Sequence, residues 1–182
     1  HLEVENQDYG LQRANFVFGP DGIRTGKWYW EVFVEGTQQY AFYTGITSNL
    51  TQDNSSGDSL HTQADKSFCN NYSIKNYTAT SPTERTNEGG NKVLSFLLDV
   101  DNQEMVMKYD GTTIGTDTTL PSAATTNYTP MCFSTNDGAG GSNWTHMHFN
   151  FGQQPFLQTQ PAGYKQINSA NLPEPTIAKP SD

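Results

Sequence analysis

The sequence predicts an all-β protein: a two-sheet antiparallel β-sandwich with an extended, Pro-rich C-terminal tail. Three observations predict it. In GKWYWEVFVEG at 26–36, Trp28, Trp30, Val32 and Val34 alternate with Tyr29, Glu31, Phe33 and Glu35, and a period of two is that of a strand with two unlike faces. Two tryptophans on one face need a facing layer to cover them, which means a second sheet. Elsewhere the apolar runs are short and bounded by Gly, Asn, Asp or Pro, and no segment carries the pattern of a long amphipathic helix.

The elements follow in order. Ala14–Phe18 reads as a first strand, closed by the turn Gly-Pro-Asp-Gly at 19–22. The Trp-rich strand comes next, and Gln39–Thr47 is expected to form a hairpin with it across Glu35–Gly36–Thr37. The stretch 48–66 has no core pattern and reads as a long exposed loop. Phe68–Tyr77 is short and aromatic, with strand character, and 78–91 is again loop-like, with Pro82 and Gly89–Gly90. Lys92–Val100 and Glu104–Asp110 form an expected hairpin joined at Asp101–Asn102–Gln103, and Asp110–Gly111 marks another turn. Tyr128–Thr135 and Trp144–Phe151 are the last two core strands, on either side of the Gly-rich loop at 136–143. After Gly152 come Pro155, Pro161, Pro173, Pro175 and Pro180, the composition of an extended wrapping tail or a linker. The expected division is a sandwich over 1–156 and a tail or linker over 157–182.

Composition narrows the function. The 182 residues suffice for one domain with a sizeable core. Aromatic residues at 12% and charged residues of only 16% set the chain apart from disordered sequences. A net charge of −9 without a Lys/Arg cluster argues against nucleic acid and against anionic membranes. No run approaches the ~20 apolar residues of a membrane-spanning helix. Cys69 and Cys132 do not stand in a zinc-type pair and are expected to be buried free thiols rather than a disulfide.

Three blocks, in order, resemble SPRY domains. They are GKWYWEVFVEG at 26–36 with YTGITS at 43–48, VLSFLLDVDNQEMVMKYDGT at 93–112, and MHFNFGQQPF at 147–156. The resemblance implies a bent β-sandwich (a jelly roll related to concanavalin-like lectins) that binds a ligand, usually a protein segment, through its surface loops. The polar loops at 48–67 and 136–143 depart from those of animal SPRY proteins, so the peptide contacts of those members do not transfer. The string PAGYKQINSANLPEPTI at 161–177 resembles the segment that follows SPRY-like domains in tailed-phage virion and tail-fibre proteins. That resemblance implies a piece of a phage structural protein and a location on the phage particle.

Several clusters carry residue types capable of chemistry. Asp99, Asp101 and Glu104 are similar to the acidic strand of laminarinase-type glycoside hydrolases. A retaining glycosidase needs two carboxyls ~5–5.5 Å apart across the scissile bond. Here the first Glu is replaced by the shorter Asp, and Asp101–Asn102 falls where a turn is expected, so turn capping is the favoured role. His146 and His148, two apart, share a strand face; such a pair binds zinc or copper when a third ligand converges, and the sequence offers none beyond His61 in a loop. They are therefore read as outward polar residues, with Met147, Phe149 and Phe151 facing the core. Asp53, Asn54 and Asp58, or Asn136 and Asp137, offer oxygens of the kind that bind Ca²⁺, but in no Asp-x-Asp-x-Asp-Gly loop. Neither a nucleophile elbow nor a phosphate loop is present. The reading is thus of a non-enzyme with no cofactor, no metal and no catalytic residue.

What remains is a surface of aromatics and amides in or beside loops: Tyr40, Tyr43, Asn71, Tyr72, Tyr77, Asn136, Asp137, Asn143 and Trp144. Sugars stack on aromatic faces and hydrogen-bond to amides, and protein interfaces use the same aromatics as anchors. The expected partner is a host-surface glycan or protein. Two alternatives stand beside it: an assembly module binding other virion proteins, and the laminarinase-type hydrolase.

Overall fold

The computed structural model describes residues 2–4, 10–35, 42–48, 50, 66–70, 73–74, 83–84, 91–134 and 146–172. Thirteen strands lie among them: β1 (Leu2–Val4), β2 (Gly10–Arg13), β3 (Lys27–Glu35), β4 (Phe42–Thr47), β5 (Lys66–Asn70), β6 (Ser73–Ile74), β7 (Thr83–Glu84), β8 (Lys92–Asp99), β9 (Glu104–Tyr109), β10 (Thr112–Asp117), β11 (Thr129–Ser134), β12 (His146–Asn150) and β13 (Lys165–Gln166). No helix occurs among the described residues. A seven-stranded sheet runs in the order β1-β12-β3-β8-β9-β10, with β13 added to β3. A four-stranded sheet runs β2-β11-β4-β5, and β6 and β7 form a small pair. All pairings are antiparallel except β13 on β3.

The core lies between the two large sheets, and the Trp-rich strand supplies its middle. Trp28, Trp30, Val32 and Val34 are buried there with Phe96 and Leu98 of β8, Met105 and Met107 of β9, and Met147 and Phe149 of β12. The indole of Trp30 stacks on Phe96, with centroids 5.0 Å apart and planes within 5°. From the facing sheet come Ile46 and Cys132, with Tyr128 just before β11. Phe18 joins the layers: its ring lies 6.4 Å from Trp30 and 5.7 Å from Tyr128.

Some expected elements differ. Ala14–Phe18 is not a strand; β2 ends at Arg13 and Phe18 forms isolated bridges to Ile23 and Tyr128. Ala14 donates its N–H to the Pro130 carbonyl, but Pro130 has no N–H with which to continue the ladder. The hairpin expected between the Trp-rich strand and Gln39–Thr47 does not form either. β3 pairs with β12, β8 and β13, while β4 belongs to the other sheet, between β11 and β5. β3 and β4 thus lie in different layers, and β4 helps to cover the tryptophans instead of lying beside them. The polar strand β10 and the short β7, inside the expected loop 78–91, carry too few apolar residues to announce themselves.

Beyond β12 the chain turns back over the outer face of the seven-stranded sheet. Asn150 organises the turn: its amide nitrogen donates to the carbonyls of Gln154 and Pro155, and its Oδ1 accepts the N–H of Gly152. Gly152 has φ 104°, and a Cβ there would come within 2.5 Å of the Gln166 Cβ, so a side chain is excluded twice over. Phe156 then packs edge-on against Tyr29, with centroids 4.7 Å apart. The buried carboxylate of Glu31 accepts the N–H of Leu157 and of Gln158, each at 2.8 Å, and the Tyr29 hydroxyl at 2.8 Å. The chain returns through Tyr164 to β13, which pairs in parallel with Trp28 and Tyr29. Tyr29 and Glu31, on the outward face of the alternation, are therefore as buried as the tryptophans. Residues 157–172 lie against the sandwich; 173–182 are outside the described residues.

Removing the carboxylate in Glu31→Ala leaves two backbone N–H groups without their acceptor and the Tyr29 hydroxyl with Ser95 alone. The expected loss of stability is about 3 kcal/mol, with faster amide exchange at Leu157 and Gln158. Equilibrium denaturation together with exchange measurements checks it, and a change below about 0.5 kcal/mol, the usual size for a surface substitution, would dismiss the clasp.

Candidate functional site

The strand registers fix where the loops are rooted. Thr47 stands opposite Thr129, and Phe42 opposite both Ser134 and Asn70. The segments entering β4 at Phe42, leaving β5 after Asn70 and leaving β11 after Ser134 therefore meet at one end of the four-stranded sheet. The seven-stranded sheet contributes Glu35 and, opposite it, His146, where the 135–145 segment enters β12. Asn71, Tyr72, Asn136, Asp137, Asn143 and Trp144 are all attached at this end. They lie outside the described residues, as do Tyr40 and Tyr77. Tyr43 stands one position inside the end of β4, in register with Phe133 and Cys69; only its backbone is described.

The long loop expected at 48–66 is rooted elsewhere. It leaves after Thr47, at the opposite end of the sheet, and the chain rejoins as β5 at Lys66, opposite Ile46. The two polar loops singled out in the sequence, 48–67 and 136–143, are therefore rooted at opposite ends of the sheet. Residues 51–65, including Asp53, Asn54, Asp58 and His61, lie outside the described residues.

That opposite end is locked by polar contacts. Asp99 is buried and forms an ion pair with Lys27 at 2.8 Å. It also accepts the backbone N–H of Asn102 at 3.1 Å and the Asn102 side-chain amide at 2.7 Å. Asp101 accepts the N–H of Gly26 at 3.0 Å. Gln103 takes the left-handed conformation, φ 54°, and its amide donates to the Leu120 carbonyl. The acids weighed as a glycosidase pair therefore cap the β8–β9 hairpin and tie it to the start of β3, and Asp101 sits in the turn rather than beside Asp99 on a strand. Burial alone would raise the Asp99 pKa, but Lys27 and the two Asn102 donors outweigh it and hold the carboxyl below its ordinary value. Lys27 is raised in return by its hydrogen bond and attraction to Asp99. The Tyr164 ring stands 5.8 Å from the Lys27 ammonium.

The histidine strand follows the expected alternation, with Met147 and Phe149 buried in the core. His148 lies on the outer face, its Nε2 3.1 Å from a carboxylate oxygen of Glu35 and its ring 5.9 Å from that of Phe33. Cys132 is a free, buried thiol, and burial pushes its pKa up to about 12. Its register partner is Thr44, whereas that of Cys69 is Tyr43.

No protein-family model matches the sequence, and no curated protein matches it. Solved structures do. The SPRY domain of human HERC1 superposes with a TM-score of 0.53 at 11% identity, over 84% of this chain and 90% of that one. The carbohydrate recognition domain of Emp46p, in its potassium-bound form, gives 0.53 at 8% identity, over 76% and 75%. The fold is a SPRY/lectin-like β-sandwich. A sialidase structure also matches, with a TM-score of 0.44 over 80% of this chain and 14% of its own, too distant a likeness to bear on activity. The sandwich thus has a polar-locked hairpin end and, opposite it, the end where most of the candidate residues are rooted.

Two outcomes are expected. Because the Asp99 pKa is lowered, its contribution to stability is complete above the ordinary carboxylate value of 3.8 and is lost as pH falls through its own lower pKa. Wild type should therefore exceed Asp99→Asn by a constant margin above about pH 4.5 and lose that margin in more acid solution, as measured by urea unfolding across pH; a margin that grows on acidification would reverse the assignment. Cys132, protonated and buried, should resist thiol reagents at pH 8 in the native protein and react fully once unfolded.

Proposed function

We propose that this sandwich is a non-catalytic recognition module of a tailed-phage virion or tail-fibre protein, binding a host-surface glycan or protein through the end rooted at Glu35, Phe42, Asn70, Ser134 and His146. The observation that carries the reading is the contrast between the two ends. At the hairpin end the carboxylates most similar to a hydrolase pair are engaged with Lys27, Asn102 and Gly26. At the other end the registers bring together the roots of segments bearing Asn71, Tyr72, Asn136, Asp137, Asn143 and Trp144.

The mechanism is presentation. A packed core holds strand ends in fixed positions while the segments between them differ in sequence. Aromatic faces would stack on sugar rings or anchor in a protein pocket, and amides and Asp137 would meet hydroxyls or backbone. Likeness to a SPRY domain and to a carbohydrate recognition domain supports a binding role and leaves the ligand class to experiment. The phage setting rests on the sequence of 161–177. The net charge of −9 favours solubility and repels anionic decoys.

Binding of the purified protein to intact bacterial cells and to a glycan array tests the reading. Tyr72→Ala and Trp144→Ala are expected to weaken saturable binding about tenfold or more, the scale of an aromatic anchor worth ~2 kcal/mol, while a shortened 51–65 segment leaves it nearly intact. Loss with the 51–65 deletion alone would move the site to the other end. Absence of binding by a folded protein would favour the assembly role, in which this surface meets other virion proteins.

A further inference from the structure

The outer face of the seven-stranded sheet holds a polar slot that the chain's own C-terminal segment fills. β3 and β8 pair so that Glu31 stands opposite Ser95, with Tyr29 two residues along the same face. All three are buried, although this face is turned away from the second sheet. The Tyr29 hydroxyl donates to Glu31 at 2.8 Å and lies 3.1 Å from the Ser95 hydroxyl oxygen. These polar side chains are fixed by one another and by the strand ladder, independently of what covers them.

What covers them has little hold of its own. Of residues 153–172, Ile167 alone is buried, and Leu157 is 63% exposed. The segment is held by the edge-on contact of Phe156 with Tyr29 and by the N–H groups of Leu157 and Gln158 on Glu31. The two-residue pairing of β13 and the Tyr164 ring beside Lys27 add to this. Segments with few buried apolar contacts open at a lower free energy than the core they lie on. The core face of β3 does not need this cover, because Trp28, Trp30, Val32 and Val34 pack between the two large sheets.

The chemistry of the slot defines what it accepts. A carboxylate that takes two successive backbone N–H groups reads an extended chain and rejects proline at either place. The Tyr29 ring, met edge-on with centroids 4.7 Å apart, takes an aromatic side chain at the preceding residue. The complement is an aromatic followed by two residues with free N–H groups, and every copy of this chain carries it at 156–158. Exchange of an identical element between copies keeps each of these contacts and asks only that a hinge open, here the turn around Gly152.

We propose that Tyr29 and Glu31, backed by Ser95, form a peptide-binding slot for an extended segment of this pattern, closed in cis by residues 156–158 and open, once they lift, to the same segment of a second copy of this chain. The slot lies on a sheet face, apart from the strand ends at Ser134 and His146.

A fluorescent peptide with the sequence of residues 153–160, titrated against the full chain and two full-chain variants, tests the slot. Both variants loosen the closing segment and leave the slot intact: Phe156→Ala removes the ring, and Leu157→Pro, at an exposed residue, removes one N–H. Thermal melting verifies that each is folded, and either suffices if the other is not. The expected result is saturable binding to the variants about tenfold or more tighter than to wild type, in which the tethered segment competes. Peptides carrying Phe156→Ala, or Leu157→Pro with Gln158→Pro, should bind about tenfold or more weakly. In mixtures, tagged Phe156→Ala should retain untagged Glu31→Ala, which has an intact segment and a defective slot, in preference to untagged Phe156→Ala. No saturable binding by a folded variant, equal affinity of the three peptides, wild type binding as tightly as the variants, or equal retention of the two untagged chains would each overturn the proposal.

Discussion

The constraint on which the structure depends is the burial of both faces of β3. Its inner face carries Trp28, Trp30, Val32 and Val34, and its outer face carries Tyr29 and Glu31, all buried. The inner face needs a second sheet, which is why β4 leaves its sequence neighbour and why Phe18 and Tyr128 bridge the layers. The outer face carries a carboxylate, and a carboxylate taken from water must have donors. Leu157, Gln158 and Tyr29 supply them. The same burial pushes the Tyr29 hydroxyl well above its ordinary pKa, so it stays a donor to Glu31. One strand thereby fixes both the second layer and the path of the C-terminal segment.

The fold class was legible because it rests on local alternation. The Trp-rich strand, β8, β9, β11 and β12 carry apolar residues at a period that survives without context. Pairing was less legible. Nothing in 36–41 distinguishes a hairpin from a crossing between sheets, because the decision lies with the tryptophans that must be covered. β10, reading TTIGTD, and the two-residue β13 were invisible because ladder hydrogen bonds and a neighbour's edge hold them, not their own pattern. Glu31 misleads in the opposite direction. It reads as a solvent-face residue until the chain returns more than a hundred residues later, and the block MHFNFGQQPF then acquires a physical meaning: Asn150 shapes the turn, Gly152 permits it, and Phe156 closes on Tyr29.

The site was legible in residue types and not in placement. Turn chemistry correctly predicted that Asp99 and Asp101 would cap a hairpin, because the Asp-Asn pair carries that preference locally. Which loops stand together could not be read from the sequence, since it depends on whether a segment leaves its sheet at Thr47 or at Ser134, and only the antiparallel register decides that. The histidines show the same limit. A period of two put His146 and His148 on one face, while the carboxylate beside His148, that of Glu35, comes from β3.

The two ends of the sandwich divide the work physically. At one, Asp99, Asp101, Gln103 and Asn127 bind backbone donors or acceptors, so polar side chains are consumed in holding turns. A surface whose donors and acceptors are already matched within the chain has little left to offer a ligand, and freeing them would loosen the start of β3. At the other end, the strands reach their last residues in register with one another, and the aromatic and amide residues of the sequence are rooted beyond them. The segments rooted there can change in sequence while β3 and its two buried faces do not, because the core holds the strand ends that carry them.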